Sequence, residues 1–346
     1  MKYGVIPTTL AERLALATGR IPLPLFDAVF SIVKARAVMA GTRLGIFEAM
    51  REGSHDAVAV AERLGLDADC VDLLLRALVR CEYLVQDGLR YRLSKVGRRS
   101  LVRGGSRELV GYILWNYTQW KMVESLEDVL RTGKGVDFHR TLEDPEAWRH
   151  YQSGMLELAR LDAPVLAKRV PVPKGATRLL DVAGSHGLLG ATLCRQHPPM
   201  RSMVLELPSA VPHARELARA EGIDDVVEHQ EGDFMAGDWG SGHDVVLLSN
   251  VLHHCSPVQI QTVLTHARSA LHERGVVAVW EMERPPQGSK VGCGDGVALF
   301  FRLTSSAGAY HGDEYAARLE QSGFRNVRLQ RPRMSPGKVL ITALAN

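Results

Sequence analysis

The stretch Arg178-Leu-Leu-Asp-Val-Ala-Gly-Ser-His-Gly187 decides the fold. An apolar run that includes an acid, Asp181, is followed by a glycine-rich turn, and the next residues, Leu188–Gln196, have a helical pattern. Gly184 and Gly187 allow the backbone to turn sharply and to approach a ligand closely. A helix that begins at such a turn directs unpaired N–H groups towards it. The pattern predicts a nucleotide or nucleoside pocket, although two glycines after a strand also occur in ordinary tight turns.

A second apolar run, residues 203–207, carries Glu206 near its end. Ligands of open α/β sheets bind at the C-terminal ends of the strands, where an acid can accept hydrogen bonds from both ribose hydroxyls. Strand and helix patterns then alternate until two runs, Arg325–Gln330 and residues 339–343, which a tight turn joins. Strands joined in this way must be antiparallel. The sequence therefore predicts an α/β fold with a mainly parallel sheet that ends in an antiparallel hairpin, unlike the sheet of a typical dehydrogenase.

The N-terminal half has a different, mostly helical pattern. Prolines and a glycine in residues 170–175 interrupt it, so we predict two domains, residues 1–170 and 171–346. Within the first, residues 58–80 predict two helices around a turn, and residues 83–93 predict a hairpin, as in a winged helix.

A winged helix raises the alternative of a DNA-binding regulator. Residues 55–103 hold nine Lys or Arg and seven acids, a surplus of only two, and the second helix is too apolar to lie in a DNA groove. We therefore expect no nucleic-acid partner.

The overall composition points to a small-molecule partner. The chain has 346 residues, of which 46% are hydrophobic and 23% charged, as in ordinary globular proteins. A net charge of +3 is too small to indicate a membrane surface, and no apolar run reaches the roughly 20 residues that span a bilayer. The five cysteines lack CxxC spacing, the histidines are scattered, and the N-terminus lacks a secretory pattern. We expect a cytoplasmic protein with no metal site.

The chain resembles the class I S-adenosylmethionine-dependent methyltransferases, and more narrowly the small-molecule O-methyltransferases typified by plant caffeic acid O-methyltransferase, to which many bacterial natural-product enzymes are similar. Five motifs in the family's order carry the resemblance: Leu180-Asp-Val-Ala-Gly-Ser-His-Gly187, Glu206-Leu-Pro208, Gly232-Asp-Phe234, Asn250-Val-Leu-His-His254 and Trp280-Glu281. The resemblance implies a Rossmann-like seven-stranded sheet. It also implies a homodimer built through the N-terminal domain, which closes over the substrate.

The resemblance implies S-adenosylmethionine as cofactor and S-adenosylhomocysteine as product. Asp181, Gly184 and Gly187 are the candidates for contact with the methionine end of the cofactor, and Glu206 is the candidate for its ribose. The full set of candidate cofactor-binding residues is Asp181, Gly184, Gly187, Glu206, Leu207, Asp233, Phe234, Ser249 and Asn250.

His253 matches the family's catalytic histidine and is the candidate general base, because a phenolic hydroxyl with a pKa of about 10 must lose its proton as the methyl group arrives. Glu281 matches a family carboxylate that orients this base. Two departures are present: His254-Cys255 replaces the family's Asp-Trp, and Ala309 stands where a second carboxylate is expected. A weaker base leaves open methyl transfer to carbon or nitrogen, or a relative that binds the cofactor without methylating.

The methyl acceptor is expected to be a small, aromatic or polycyclic metabolite bound through one of its hydroxyl groups. Methionine and aromatic side chains line the family's acceptor pocket, although such residues at helical spacing also fill ordinary cores. The candidate acceptor-binding residues are Trp115, Asn116, Met155, His254, Phe300 and Phe301.

Overall fold

The computed structural model describes residues 4–286, 288, 293–305 and 307–345. The chain forms two compact units, Met1–Tyr117 and Thr118–Asn346. Among the described residues, no helix combines the length and the apolar character needed to cross a lipid bilayer.

The first unit contains the predicted pair of helices followed by a hairpin. Asp56 and Asp67 cap the two helices by accepting hydrogen bonds from backbone N–H groups, and Gly65 ends the first helix in the left-handed conformation. The hairpin belongs to a three-stranded antiparallel sheet of order β1-β3-β2. The elements are α1 Leu10–Ala17, α2 Leu23–Leu25, a π-helical turn Phe26–Phe30, α3 Ser31–Arg43, α4 Ile46–Ala49, β1 Ser54–Asp56, α5 Ala57–Leu64, α6 Ala68–Arg80, β2 Leu84–Asp87, β3 Arg90–Leu93, α7 Lys95–Ser100 and α8 Val110–Val123, within which the unit ends.

The N-terminal apolar segment, defined here as residues 6–33, contrasts with the packed remainder of this unit. No residue of α1, α2 or the π-helical turn is buried. Ile6 and Leu10 are 83% and 82% exposed. A contiguous set of exposed large apolar side chains is uncommon on a monomer and marks an interaction surface. The others in this segment are Leu14, Leu23, Leu25, Val29, Phe30, Ile32 and Val33.

The second unit is built on a seven-stranded sheet of order β6-β5-β4-β7-β8-β10-β9, which confirms the predicted class I methyltransferase fold. The first five strands in this order are parallel, and β10 is antiparallel to both of its neighbours, as the sequence predicted. The elements are α9 Leu126–Thr132, α10 Phe138–Thr141, α11 Pro145–Ala167, β4 Arg178–Val182, α12 Leu188–Gln196, β5 Arg201–Glu206, α13 Val211–Ala220, β6 Val227–Glu231, β7 His243–Ser249, α14 Pro257–Ala270, β8 Leu271–Met282, α15 Cys293–Thr304, α16 Gly312–Gln321, β9 Arg325–Gln330 and β10 Lys338–Leu344. Short 3-10 turns cover Phe234–Ala236 and Leu252–His254.

Apolar cores cover both faces of this sheet. Leu179 of β4 packs in one core with side chains of α11 and α12, whereas Leu180 and Val182 pack in the opposite core with side chains of α14 and α16. A strand that is buried on both faces has an almost continuous apolar sequence, which explains the run that opens the decisive stretch.

The boundary between the compact units differs from the predicted boundary at residue 170. Ala159, Ala163 and Leu166 of α11 pack in the same core as Leu179 of the sheet, so α11 is part of the second unit. Whether residues up to 170 act as a substrate lid stays a prediction.

Candidate active site

The turn after β4 has an unusual backbone. Ala183 and Ser185 have left-handed φ angles of 52° and 50°, and Gly187 has a φ angle of 77°. Left-handed conformations cost energy in non-glycine residues and persist where the surrounding structure holds them, often at functional sites. His186 Nδ1 accepts the N–H of Leu188, the first residue of α12, at 3.0 Å. The turn is therefore held in shape partly by its own side chains, and one helix N–H that we expected to face a ligand is used internally.

Gly184 is required for a reason that the sequence did not show. A Cβ atom at Gly184 would lie 2.4 Å from the carboxyl carbon of Asp181, which is closer than any real contact. At Gly187 a Cβ atom would lie 2.8 Å from Val227 and 2.9 Å from Val204. In the structure both glycines make room for side chains beneath the turn, and their close approach to a ligand stays a prediction.

Asp181 lies under this turn, 1% exposed. Burial, together with the nearby carboxylate of Glu206, raises the pKa of Asp181 to about 7. Asp181 thus supports the turn from behind and does not face the cavity described below.

Glu206 ends β5 and is anchored by two backbone groups. Its Oε2 accepts the N–H of Ser185 at 2.9 Å, and its Oε1 accepts the N–H of Leu207 at 2.8 Å. Burial raises the pKa of this carboxyl group. Each carboxylate oxygen can accept a second hydrogen bond, so the side chain remains able to bind a pair of hydroxyl groups.

A cavity opens at the C-terminal edge of the sheet, between the strand ends and α11. Its described lining contains three acids, Asp137, Glu206 and Asp233, and no lysine or arginine. Burial lowers the pKa of His139 to about 3 and that of His254 well below its usual value, so both lining histidines are neutral at physiological pH. The other lining residues are Trp148, Tyr151, Gln152, Ala183, Ser185, Leu205, Leu207, Ala210, Gly232, Phe234, Met235, Asn250, Val251, Cys255 and Gln259.

The cavity-lining residues of α11 and of the segment before it were missed by sequence reasoning. Trp148, Gln152 and Met155 are spaced i, i+4 and i+7 on a segment predicted to be helical, and this spacing could have placed the first two near the candidate Met155. Tyr151 Oη lies 2.9 Å from Nε2 of His139. Asp137 and His139 precede α11 without periodicity, so no pattern could have indicated them.

The candidate general base, His253, forms a buried pair with Glu281. His253 lies on the 3-10 turn Leu252–His254, and its Nδ1 is 2.8 Å from Oε2 of Glu281. The other oxygen of Glu281 accepts the N–H of Leu252 at 2.7 Å. His253 is 4% exposed and Glu281 0%. The ring of Phe301 stacks on that of His253 with centroids 3.9 Å apart. The imidazole ring is thus held by a carboxylate at its edge and by an aromatic ring on one of its faces.

The rings of His253 and His254 lie close together. Their centroids are 4.0 Å apart, and both residues lie on the 3-10 turn Leu252–His254. Gly308 donates its N–H to the carbonyl oxygen of His253 at 3.0 Å, so the segment that includes Ala309 passes beside the histidine. Ala309 is buried and offers no carboxylate there.

The structure brings some of the sequence candidates together and leaves others apart. Glu206, Leu207, Asp233, Phe234, Asn250 and His254 line the cavity. Asn250 has a φ angle of 55°, its Nδ2 donates to Ser249 Oγ at 3.2 Å, and Lys338 Nζ donates to its Oδ1. The candidates that lie outside the lining are Asp181, Gly184, Gly187, Ser249, His253, Glu281, Met155, Phe300 and Phe301, while Trp115 and Asn116 lie on α8 in the first unit.

Comparison with known proteins places this geometry in a family. The O-methyltransferase domain matches residues 115–325, and the O-methyltransferase dimerisation domain matches residues 26–103. The chain belongs to the O-methyltransferase family. The methyltransferase is 30% identical, over 90% of its length and 91% of the relative, to 3-hydroxy-5-methyl-1-naphthoate 3-O-methyltransferase of Streptomyces sahachiroi. It is 29% identical, over 90% and 93%, to N,N-dimethyltransferase OxyT of Streptomyces rimosus.

A solved structure extends the comparison to the fold. Human N-acetylserotonin methyltransferase, in complex with SAM, matches with a TM-score of 0.83 at 18% identity, over 99% of this chain and 100% of the other. This likeness extends the comparison to the fold alone. Membership of the O-methyltransferase family, shown by the domain match, makes S-adenosylmethionine the methyl donor, and the chain also carries the family's dimerisation domain.

The cavity fits this cofactor. S-adenosylmethionine carries two positive centres, a sulfonium and an ammonium, against a single carboxylate, and the described lining has three acids and no basic side chain. Glu206, with free acceptor capacity on both oxygens, suits a ribose.

Proposed function

We propose that this methyltransferase transfers the methyl group of S-adenosylmethionine to a hydroxyl group of a small aromatic or polycyclic metabolite, with His253 as general base. The observation that carries this proposal is the 2.8 Å contact between His253 Nδ1 and the buried carboxylate of Glu281. A carboxylate at one ring nitrogen fixes the other nitrogen as the proton acceptor, as in nucleophile-activating triads.

The cofactor would lie along the strand ends. Glu206 would accept hydrogen bonds from the ribose hydroxyls, with Leu207 beside it. Asp233 and Phe234 would contact the adenosine part, and Ser249 and Asn250 would lie towards the reacting end. Asp181, Gly184 and Gly187 would act by holding the turn in the shape that receives the methionine part. When bound, the cofactor supplies a methyl group on a positively charged sulfur.

His253 would take the proton of the acceptor hydroxyl. Its Nδ1–H donates to Glu281, which leaves Nε2 to receive that proton. The negative charge of Glu281 then stabilises the imidazolium that forms. Because Ala309 adds no second carboxylate, the base relies on Glu281 alone, which suits an acceptor of acidic, phenolic character.

The acceptor would contact Trp115, Asn116, Met155, His254, Phe300 and Phe301. Support for an aromatic acceptor comes from Phe301, which stacks on the base, and from the relative that is named for a hydroxynaphthoate.

We also propose that the enzyme is a homodimer joined through its N-terminal unit. The match to the dimerisation domain and the exposed N-terminal apolar segment both support this. A second copy of the chain would cover these side chains. A reducing cytoplasm is the proposed compartment. Cys70, Cys81, Cys194 and Cys255 are free thiols, and the side chain of Cys293 lies outside the described residues.

Substitution of His253 tests the mechanism. His253→Ala should lower turnover by about 10²- to 10⁴-fold without changing the affinity for S-adenosylhomocysteine. The assay measures S-adenosylhomocysteine formation with a panel of phenols, and mass spectrometry locates the methyl group. His213→Ala is the matched control, because His213 contacts Glu216 away from the cavity. Full activity of His253→Ala would contradict the base assignment, and methylation at nitrogen or carbon would contradict the hydroxyl acceptor.

A further inference from the structure

Gln152, one of the residues that line the cavity, has a side-chain hydrogen-bond acceptor without a partner among the described residues. Gln152 lies on α11, is 1% exposed and lines the cavity. Its Nε2 donates to the carbonyl oxygen of Ala210 at 3.1 Å and to Ser185 Oγ at 3.3 Å. Its Oε1 is buried and has no partner among the described residues. Buried polar atoms are nearly always paired in folded proteins, so this oxygen calls for a ligand donor.

The orientation of this amide follows from its neighbours. The carbonyl oxygen of Ala210 can only accept a hydrogen bond, so the NH₂ group of Gln152 must face it. Oε1 must then point to the other side of the amide. A carbonyl oxygen cannot donate, so the partner that completes it has to be an N–H or O–H group.

The charge of the lining indicates what kind of donor fits. Ser185 joins Gln152 to Glu206, because its hydroxyl contacts the amide while its N–H donates to the carboxylate. A cationic N–H donor would interact favourably with both Oε1 and this acidic lining, which lacks lysine and arginine among its described residues. The α-ammonium group of S-adenosylmethionine is such a donor. The ribose hydroxyls, in contrast, already have Glu206.

We propose that Gln152 Oε1 accepts a hydrogen bond from the α-ammonium group of S-adenosylmethionine and positions the amino acid end of the cofactor beside residues 183–187. This inference rests on the proposed function, since it takes S-adenosylmethionine as the ligand. Gln152 would thus bind the cofactor directly and take no part in the transfer itself.

Calorimetric titration with two ligands tests the proposal. The first ligand is S-adenosylhomocysteine, and the second is its deaminated analogue, in which hydrogen replaces the α-amino group. We expect Gln152→Leu to bind S-adenosylhomocysteine about 10- to 100-fold more weakly than wild type, the usual effect of a lost hydrogen bond to a charged group. The same variant should bind the deaminated analogue as tightly as wild type does.

Gln261→Leu is the matched control. Gln261 loses a single hydrogen bond, to Ser322 Oγ at 2.8 Å, and lies outside the cavity lining, so both affinities should stay unchanged. If Gln152→Leu lacks a cooperative thermal transition, Gln152→Met, which preserves the side-chain length, gives the same comparison. An equal loss for both ligands, or no loss for either, would overturn the role of Gln152. Failure of the wild-type protein to bind S-adenosylhomocysteine would instead overturn the proposed function.

Discussion

Replacement of Glu281 by glutamine should reverse the arrangement of protons on His253. Oε1 of Glu281 accepts the N–H of Leu252 at 2.7 Å, and Oε2 meets His253 Nδ1 at 2.8 Å. In Glu281→Gln the Leu252 N–H still needs an acceptor, so the amide oxygen takes that side. The amide NH₂ then faces Nδ1 as a donor and favours the ring tautomer that carries its proton on Nε2. The nitrogen that would accept the substrate's proton is therefore already protonated.

The size of the effect follows from the loss of an oriented base. We expect turnover to fall by about 10²- to 10⁴-fold, which corresponds to about 2.7 to 5.4 kcal/mol of transition-state stabilisation. Neither Glu281 nor His253 lines the cavity, so the affinity for S-adenosylhomocysteine should remain at its wild-type value. A phenol ionises with a pKa of about 10, so the residual rate should rise about tenfold per pH unit as the acceptor ionises without help.

The assay follows S-adenosylhomocysteine formation between pH 7 and 9, with calorimetry for cofactor affinity. Glu283→Gln is the control, because Glu283 lies just beyond β8 and binds Arg331 and the N–H of Gly312. It should keep wild-type turnover. Wild-type turnover and an unchanged pH profile in Glu281→Gln would refute the orienting role of Glu281.

Three further predictions concern the turn, a buried histidine and the N-terminal apolar segment. Gly184→Ala would place its Cβ 2.4 Å from the carboxyl carbon of Asp181, so denaturant titration should show a loss of about 1 to 3 kcal/mol in the free energy of unfolding, and an unchanged value would mean that the carboxylate moves aside. Burial lowers the pKa of His139 from 6.5 to about 3, so the folded state loses about 1.4 kcal/mol per pH unit from this residue as the pH falls below 6.5 towards 3. His139→Phe should therefore flatten the fall in stability between pH 6.5 and 5, and a slope equal to that of wild type would contradict burial of a neutral ring. The double variant Leu10→Asp, Ile32→Asp should be monomeric by light scattering at micromolar concentration, and a persistent dimer would exclude this segment from the interface.

The fold could be predicted where a local sequence pattern, such as apolar spacing or a turn signal, determines the element. Helix α12 has the predicted bounds, Leu188–Gln196, because a glycine turn precedes it and apolar spacing continues through it. The antiparallel pair β9 and β10 followed from the tight turn predicted between the runs Arg325–Gln330 and 339–343. Strand β1 has only three residues, too few for an alternating pattern, and was missed. The packing of α11 against the sheet depends on contacts between residues far apart in sequence, so the sequence placed the unit boundary differently.

The site could be predicted where strand ends converge. Glu206 was found because parallel strands bring their C-terminal ends to one edge of the sheet, whereas Asp233 was found through the resemblance to the family's motif at residues 232–234. The reason for Gly184 could not be found, since it depends on how the turn folds back over Asp181. The helical spacing could have indicated Gln152. That its Oε1 lacks a partner among the described residues follows only from the structure, in which its NH₂ group donates to the carbonyl oxygen of Ala210.

The sign of the charge in the cavity also bears on which cellular nucleotides can compete for it. ATP and NAD share the adenosine portion of S-adenosylmethionine, and they differ from it in carrying phosphates where the cofactor carries a sulfonium and an amino acid. The described lining contains Asp137, Glu206 and Asp233 and no basic side chain, so a phosphate placed beside these acids would meet like charges. Each such pair at 4 Å costs about 4 kcal/mol at an effective dielectric constant of about 20. An adenosine pocket built in this way can remain free of abundant phosphorylated nucleotides without any steric feature that rejects them.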